Sequence, residues 1–446
     1  MLMPVVAFLI GCMLLGYRGK GPIWVISISW LFCILPIAFG WLDYGLFKEV
    51  AWFPAALIGL LACYIGGCVL RSLTVTSSAN ASDMADTDRR FVVSFSVVQQ
   101  TWWIGLAGVG FVIADFAFNG GAGLDDLVAI RDAVTGRQSA SLLAQVGSIM
   151  TWACLYCYLF AIVYRRRLSK FNLVRFIIPV AGYFLLSVLS AGRQAAFQVM
   201  MVTILGVAVS WDRKPRVVIR RSRHRDAIPA IVMSAVMTGY MGYVAIARND
   251  NVVSDDKGEV IKTLFTVDLS PAVDRTISSL GANVHSAIIE GLVYFSSAVP
   301  LFQRYLETEM GGLSYGAMSF PFIFRQLQGL TGVAPGALLD DKVARLNAAG
   351  VIGAGWTTSF SAYLKDFGTI GGAAFLVILG FYTMDAWKRA RRTADFDDIV
   401  IAVVLMLVAI YSPLIPAQSD TNILFLWLFA LAARWLRRNG AVSLAA

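Results

Sequence analysis

Apolar runs long enough to cross a lipid bilayer recur along the whole of this chain, and nothing else in the sequence limits its fold so strongly. They fall near residues 2–16, 22–40, 51–70, 92–118, 141–164, 172–190, 194–211, 228–247, 367–387, 398–416 and 421–436. As a helix, about 20 apolar residues cover a hydrocarbon core roughly 30 Å thick. A membrane β-barrel would show short alternating segments instead, because in lipid only helices and closed barrels satisfy every backbone polar group. Composition agrees: 58% of the residues are hydrophobic and 15% charged, with a mean hydropathy of +0.69, against about 25% charged residues in soluble domains. The expected class is an all-α polytopic integral membrane protein with about eleven spans.

The net charge of +9 does not point to nucleic acid, because the basic residues sit in short clusters between apolar runs. These clusters are "RGKG" (18–21), "RRRLSK" (165–170), "DRKPRVVIRRSRHRD" (212–226), "KRARR" (388–392) and the tail "RWLRRNG". If all are cytoplasmic, the alternation closes with the N-terminus outside and the C-terminus inside. Three regions follow: an N-terminal bundle over 1–247 with about eight spans, a large outer loop over 248–366, and a C-terminal bundle over 367–446 with about three. The first apolar run carries its charge after it rather than before, as a retained helix does.

Two outer segments have a pattern of their own. "GGAGLDDLVAIRDAVTG" (120–136) predicts a short amphipathic helix lying in the interface. "SAIIEGLVYFSSAVPLF" (286–302) is apolar but short, carries Glu290 and is broken by Pro300, which suits a re-entrant or interfacial helix better than a twelfth span. The six cysteines, Cys12, Cys33, Cys63, Cys68, Cys154 and Cys157, all lie in apolar runs; with no second Cys pair or nearby histidine, "CLYC" reads as packing rather than as a metal site.

Candidate chemistry gathers on the outer side. Arg193, in "VLSAGRQAAF", is a permanent charge at a hairpin tip that runs against the positive-inside rule. Arg248, Arg275, Arg304, Arg325 and Lys365 join it, and a guanidinium fork there suits a lipid phosphate through paired charge-assisted hydrogen bonds. His224 belongs to the cytoplasmic basic loop, whereas His285 lies in the outer loop near Glu290. Five residues of separation place those two about 140° apart on a helix, so they do not form a ready-made pair. Asp274, Glu307 and Asp366 are the other outer carboxylates. No Gly-rich phosphate loop, HExxH or metal-ligand cluster appears in the sequence, and Asp366–Gly368 lacks the companion motifs of a kinase. What remains is chemistry on a phosphate-bearing lipid without nucleotide, metal or other cofactor.

"SAGRQAAF" (190–197) is similar to the Ser-x-x-Arg segment of the bacterial oligosaccharide repeat unit polymerases, the Wzy-type O-antigen polymerases. "GWTTSFSAYLKDFGTIGG" (355–372) resembles the stretch that closes the large loop of that family, and "GLVYFSSAVPLFQRYLE" (291–307) its mid-loop tyrosine segment. The paired Arg-x10-Gly loop motifs of some members are absent. The resemblance implies a metal-independent, inverting membrane glycosyltransferase of the class C type. It would join undecaprenyl-diphosphate-linked oligosaccharides at the outer face of a bacterial inner membrane, in O-antigen, exopolysaccharide or capsule synthesis. In that scheme Arg193, Arg248, Arg325 and Arg304 hold the diphosphate, His285 or else Glu290 acts as base, and Tyr294, Trp356, Tyr363 and Asp366 meet the sugars. A chain-length regulator protein is a further expected partner. The nearest alternatives are an O-antigen ligase, which passes the same donor to another acceptor, and a transporter or flippase for lipid-linked sugars. Transporters commonly carry internal repeats and midplane charges, neither of which the sequence shows.

Overall fold

A computed structural model of the chain describes residues 2–16, 21–44, 50–74, 84–119, 141–189, 194–211, 267–308, 312–327, 358–393 and 395–438, with single positions between 228 and 240 and at 344. The interfacial helix expected over 120–136, together with Arg193, Arg248 and Trp356, lies outside the described residues.

In chain order the elements are α1 (Met3–Gly16), α2 (Gly21–Ala38), β1 (Leu42–Tyr44), α3 (Phe53–Leu73), α4 (Met84–Asn119), α5 (Leu142–Met150), α6 (Trp152–Tyr164), α7 (Lys170–Leu189), α8 (Gln194–Trp211), β2 (Val267–Leu269), α9 (Pro271–Ser278), α10 (Ala282–Ser296), α11 (Ala298–Glu307), α12 (Pro321–Gln326), α13 (Ser359–Arg392), α14 (Phe396–Tyr411) and α15 (Thr421–Arg438). The protein is a predominantly helical membrane protein. Six stretches among the described residues are long and apolar enough to span: Gly21–Ala38, Phe53–Leu73, Arg90–Phe118, Leu142–Tyr164, Lys170–Ser187 and Ser359–Arg392. Met3–Leu15 and Gln194–Val209 are apolar but shorter.

Three local differences from the sequence reading have simple causes. The run at 141–164 is divided into α5 and α6 at Thr151, whose hydroxyl turns back to the Ser148 carbonyl at 2.9 Å. The apolar loop segment is two helices, α10 and α11, meeting at Ser297, with Pro300 in the first turn of α11, where its missing N–H costs little. The strands β1 and β2 pair antiparallel, Leu42 with Leu269, Asp43 with Asp268 and Tyr44 with Val267. At three residues each, they are too short to show as an alternating pattern.

The chain forms two compact units, both discontinuous in sequence. The first comprises Met1–Thr76, Val252–Asp385 and Leu405–Asp420. In it α3 and α13 approach so closely that a Cβ on Gly67 would collide with the Val377 carbonyl, and one on Gly380 with that of Tyr64. Small residues are what permit such an approach between membrane helices. Trp30 stacks on Phe360 at 4.9 Å and donates its indole N–H to Ser412 at 2.9 Å, while Phe302 of α11 sits edge-on to both Phe53 and Phe360. The inner face of the small sheet, Leu42, Tyr44 and Val267, packs on Ile289 and Val293 of α10.

The second unit comprises Ser77–Asn251, Ala386–Val404 and Thr421–Ala446. Its core is an aromatic cluster in which Phe160 of α6 touches Phe91, Phe95, Tyr164, Phe176 and Phe396. At the end of α14 that carries Asp397 and Asp398, charge is buried but matched. Asp397 meets Arg437 and accepts from the Tyr156 hydroxyl at 2.9 Å, and Asp398 meets Arg434 at 3.2 Å and Thr393 at 2.9 Å. Two carboxylates in the first turn of α14 also suit the positive end of its dipole. All six cysteines are free, and Cys154 and Cys157 are buried.

Candidate functional site

The reversal between α9 and α10 creates the first cluster, in the first unit. Pro271 opens α9 at a position where proline fits, and Gly281, at φ +96°, turns the chain where a side chain would be strained. His285, one turn into α10, consequently returns to Asp274 in α9, with its Nε2 3.0 Å from the carboxylate and its side chain 16% exposed. The carboxylate partner of His285 is therefore Asp274, eleven residues back, and not Glu290 on its own helix. With Nε2–H donating to Asp274, Nδ1 is the ring atom left to accept a proton. Glu290 is half-buried farther along α10, and the Tyr294 ring lies edge-on to Phe295 at 5.4 Å. Beneath them the Tyr44 hydroxyl, 2.8 Å from Ser296, ties β1 to α10. Burial pushes the Tyr44 phenol well above its ordinary value, with the Ser296 hydrogen bond pulling the other way.

A second cluster in the same unit is built by Asp366 and Gly368. At φ +70° and ψ 178°, Gly368 interrupts α13 with a backbone conformation open essentially to glycine alone. On the N-terminal side of the break, the Lys365 and Asp366 carbonyls each accept a backbone N–H at 3.0 Å, from Ser314 and Tyr315 respectively. The Asp366 carboxylate is 0% exposed. It accepts from the Ser314 hydroxyl at 2.6 Å, the Met318 N–H at 3.0 Å and the Ser319 N–H at 2.8 Å, and also from the Ser319 hydroxyl. These donors take up the acceptor positions of both oxygens, so Asp366 acts on the segment 314–319 rather than outward. Tyr363 is likewise buried, its hydroxyl accepting from Gln418 at 3.1 Å and its ring facing Phe375 at 4.8 Å.

The two described arginines of the diphosphate set differ in their surroundings. Arg304 is paired with Glu307 at 2.9 Å along α11, and Gln303 donates to the same carboxylate at 2.8 Å. Arg325 stands exposed on the six-residue α12. Among the described residues, no three His, Cys, Asp or Glu side chains gather as a metal ion requires.

A third cluster, in the second unit, lies among apolar helices. Thr151 donates to Asn422 Oδ1 at 2.5 Å, Asn422 Nδ2 donates to the Tyr183 hydroxyl at 3.0 Å, and Tyr183 donates to Gln198 Oε1 at 2.5 Å. Sequence reasoning missed this chain because its members carry no charge; the available signal was an amide and a phenol inside apolar runs. It also missed Asp274 as the histidine's partner and the serines that bind Asp366. Compared with models of protein families, with curated proteins and with solved structures, the chain shows no match.

Proposed function

We propose that this protein is a polymerase of undecaprenyl-diphosphate-linked oligosaccharide repeat units, working at the outer face of a bacterial inner membrane. The observation that carries the reading is the His285–Asp274 contact, in the segment that the sequence reading assigns to the large outer loop. It supplies an oriented imidazole, the usual general base at neutral pH, in a loop whose sequence resembles that of the polymerases.

In this scheme a hydroxyl at the non-reducing end of one lipid-linked unit loses its proton to His285 Nδ1. Its oxygen bonds to the anomeric carbon of the growing chain from the face opposite the diphosphate. The anomeric C–O bond breaks, and polyprenyl diphosphate leaves with the electron pair. Asp274 holds the ring and offsets the imidazolium charge, which makes it a positioning residue. Arg193, Arg248, Arg325 and Arg304 are the proposed partners of the departing diphosphate, since preorganised cations stabilise charge as it develops. Glu290 is the second candidate base, and Tyr294 and Trp356 are the aromatic platforms for sugars.

The test is to incubate the purified chain in nanodiscs with undecaprenyl-diphosphate oligosaccharide from its host and separate the products by length. A ladder that depends on His285 supports the polymerase. Transfer only to an added lipid acceptor would make the protein a ligase, and movement of the lipid-linked sugar across the membrane without new glycosidic bonds would make it a transporter.

A further inference from the structure

Gln198 of α8 is 0% exposed, and among the described residues its Nε2 has no hydrogen-bond partner. The side-chain hydrogen bond it makes among the described residues is with the Tyr183 hydroxyl. A primary amide carries two N–H groups on one side and a carbonyl on the other, so in either orientation a single contact leaves at least one N–H without an acceptor. An orphaned donor among apolar helices is costly, and native proteins rarely keep one.

The rest of the chain decides what would satisfy it. In the order described above, protons run from Thr151 through Asn422 and Tyr183 to Gln198, which is left with both N–H groups. The Thr151 hydroxyl also lies 2.9 Å from the Ser148 carbonyl, so the order can reverse. Thr151 then donates to Ser148, Asn422 to Thr151, Tyr183 to Asn422 and Gln198 to Tyr183, which leaves Gln198 one N–H and its carbonyl. A ligand hydroxyl, donor and acceptor in one group, fits both orders. None of the four side chains is charged, so an anionic phosphate is the poorer match. Two further polar side chains lie near the adjoining ends of these helices. Exposed Gln194 precedes Gln198 by one helical turn on the same face, about 6 Å, and Ser187 stands one turn beyond Tyr183 toward the end of α7.

We infer that Gln198, held by Tyr183, Asn422 and Thr151, is a binding subsite for a sugar hydroxyl of a lipid-linked saccharide. The saccharide class follows from the neutral network, while the lipid carrier rests on the polymerase reading.

The test measures binding of two probes to the full chain in nanodiscs: undecaprenyl-diphosphate oligosaccharide from the host, and undecaprenyl diphosphate without sugar. Gln198→Met keeps the shape of the side chain and removes both its donors and its carbonyl. The wild type is expected to bind the sugar-bearing probe about tenfold more tightly than the bare one. The variant should lose that preference, with unchanged affinity for the bare lipid and an unchanged or higher melting temperature. Retained preference in the variant overturns the proposal, because something other than the ligand, such as a buried water, then satisfies the amide. Equal loss of both probes with a lower melting temperature also overturns it, by making the residue structural. A wild type without preference brings down this proposal and the polymerase reading together. A wild type that shows the preference and elongates, beside a variant that keeps it, sinks the proposal alone.

Discussion

Asp274 carries the most direct consequence for chemistry. If His285 is the base, His285→Gln should lower elongation at least about a hundredfold, while Asp274→Asn, which keeps the base but loosens its orientation, should cost nearer tenfold. Initial rates of ladder formation on folded variants would check both, and equal rates in His285→Gln and wild type would remove the histidine from the mechanism. Asp366 belongs to the other class of buried carboxylate, one whose partners are all protein groups. Asp366→Ala should cost about 3 kcal/mol of stability, because it strands the donors of Ser314, Met318 and Ser319. A melting temperature unchanged by that substitution would contradict the anchor role. Sequence reasoning marked both residues as outer carboxylates, and only the family resemblance set them apart, by giving Asp366 to the sugars and Asp274 no role. Whether a carboxylate meets a ring nitrogen or a loop of donors depends on chain reversals such as that at Gly281, which leave no periodic signal.

Elements were more legible than side-chain partners. Apolar length alone predicts helices over most of the runs, because in lipid a hydrophobic stretch has few other ways to satisfy its backbone. The departures came where a single residue overrides the pattern: Thr151 dividing one run, Ser297 and Pro300 dividing another, and Gly368 breaking α13. The β1–β2 pair was invisible, since its strength lies in two inward-facing residues on one strand and one on the other, packed on α10. Packing between α3 and α13 gives a prediction at this scale. Gly67→Leu or Gly380→Leu must push a helix backbone aside and should destabilise the protein by about 3 kcal/mol or more, whereas Gly59→Leu on α3, whose Cβ meets nothing within 4 Å, should be tolerated. Thermal unfolding of the three variants in one detergent would show the contrast.

At the scale of the whole molecule, orientation rests on charge. The basic connections predict a cytoplasmic C-terminus, so a fluorescent protein fused after Ala446 should mature and fluoresce, and a periplasmic phosphatase fused there should stay inactive. The opposite pattern would place the His285–Asp274 pair on the wrong side for a lipid-linked donor. The discontinuity of the two compact units bears on how the chain is made. The first lacks a piece until Leu405–Asp420 emerges, and the second until Thr421–Arg438 follows. A chain arrested on the ribosome before Phe396 would hold Tyr156 without Asp397 and Trp30 without Ser412, hydrogen-bonding groups, buried in the finished fold, awaiting partners not yet translated. Nascent chains of this protein should therefore stay exposed to membrane quality-control proteases until Thr421–Arg438 has emerged, and removal of α15 should reduce its abundance far more than the number of residues removed would suggest.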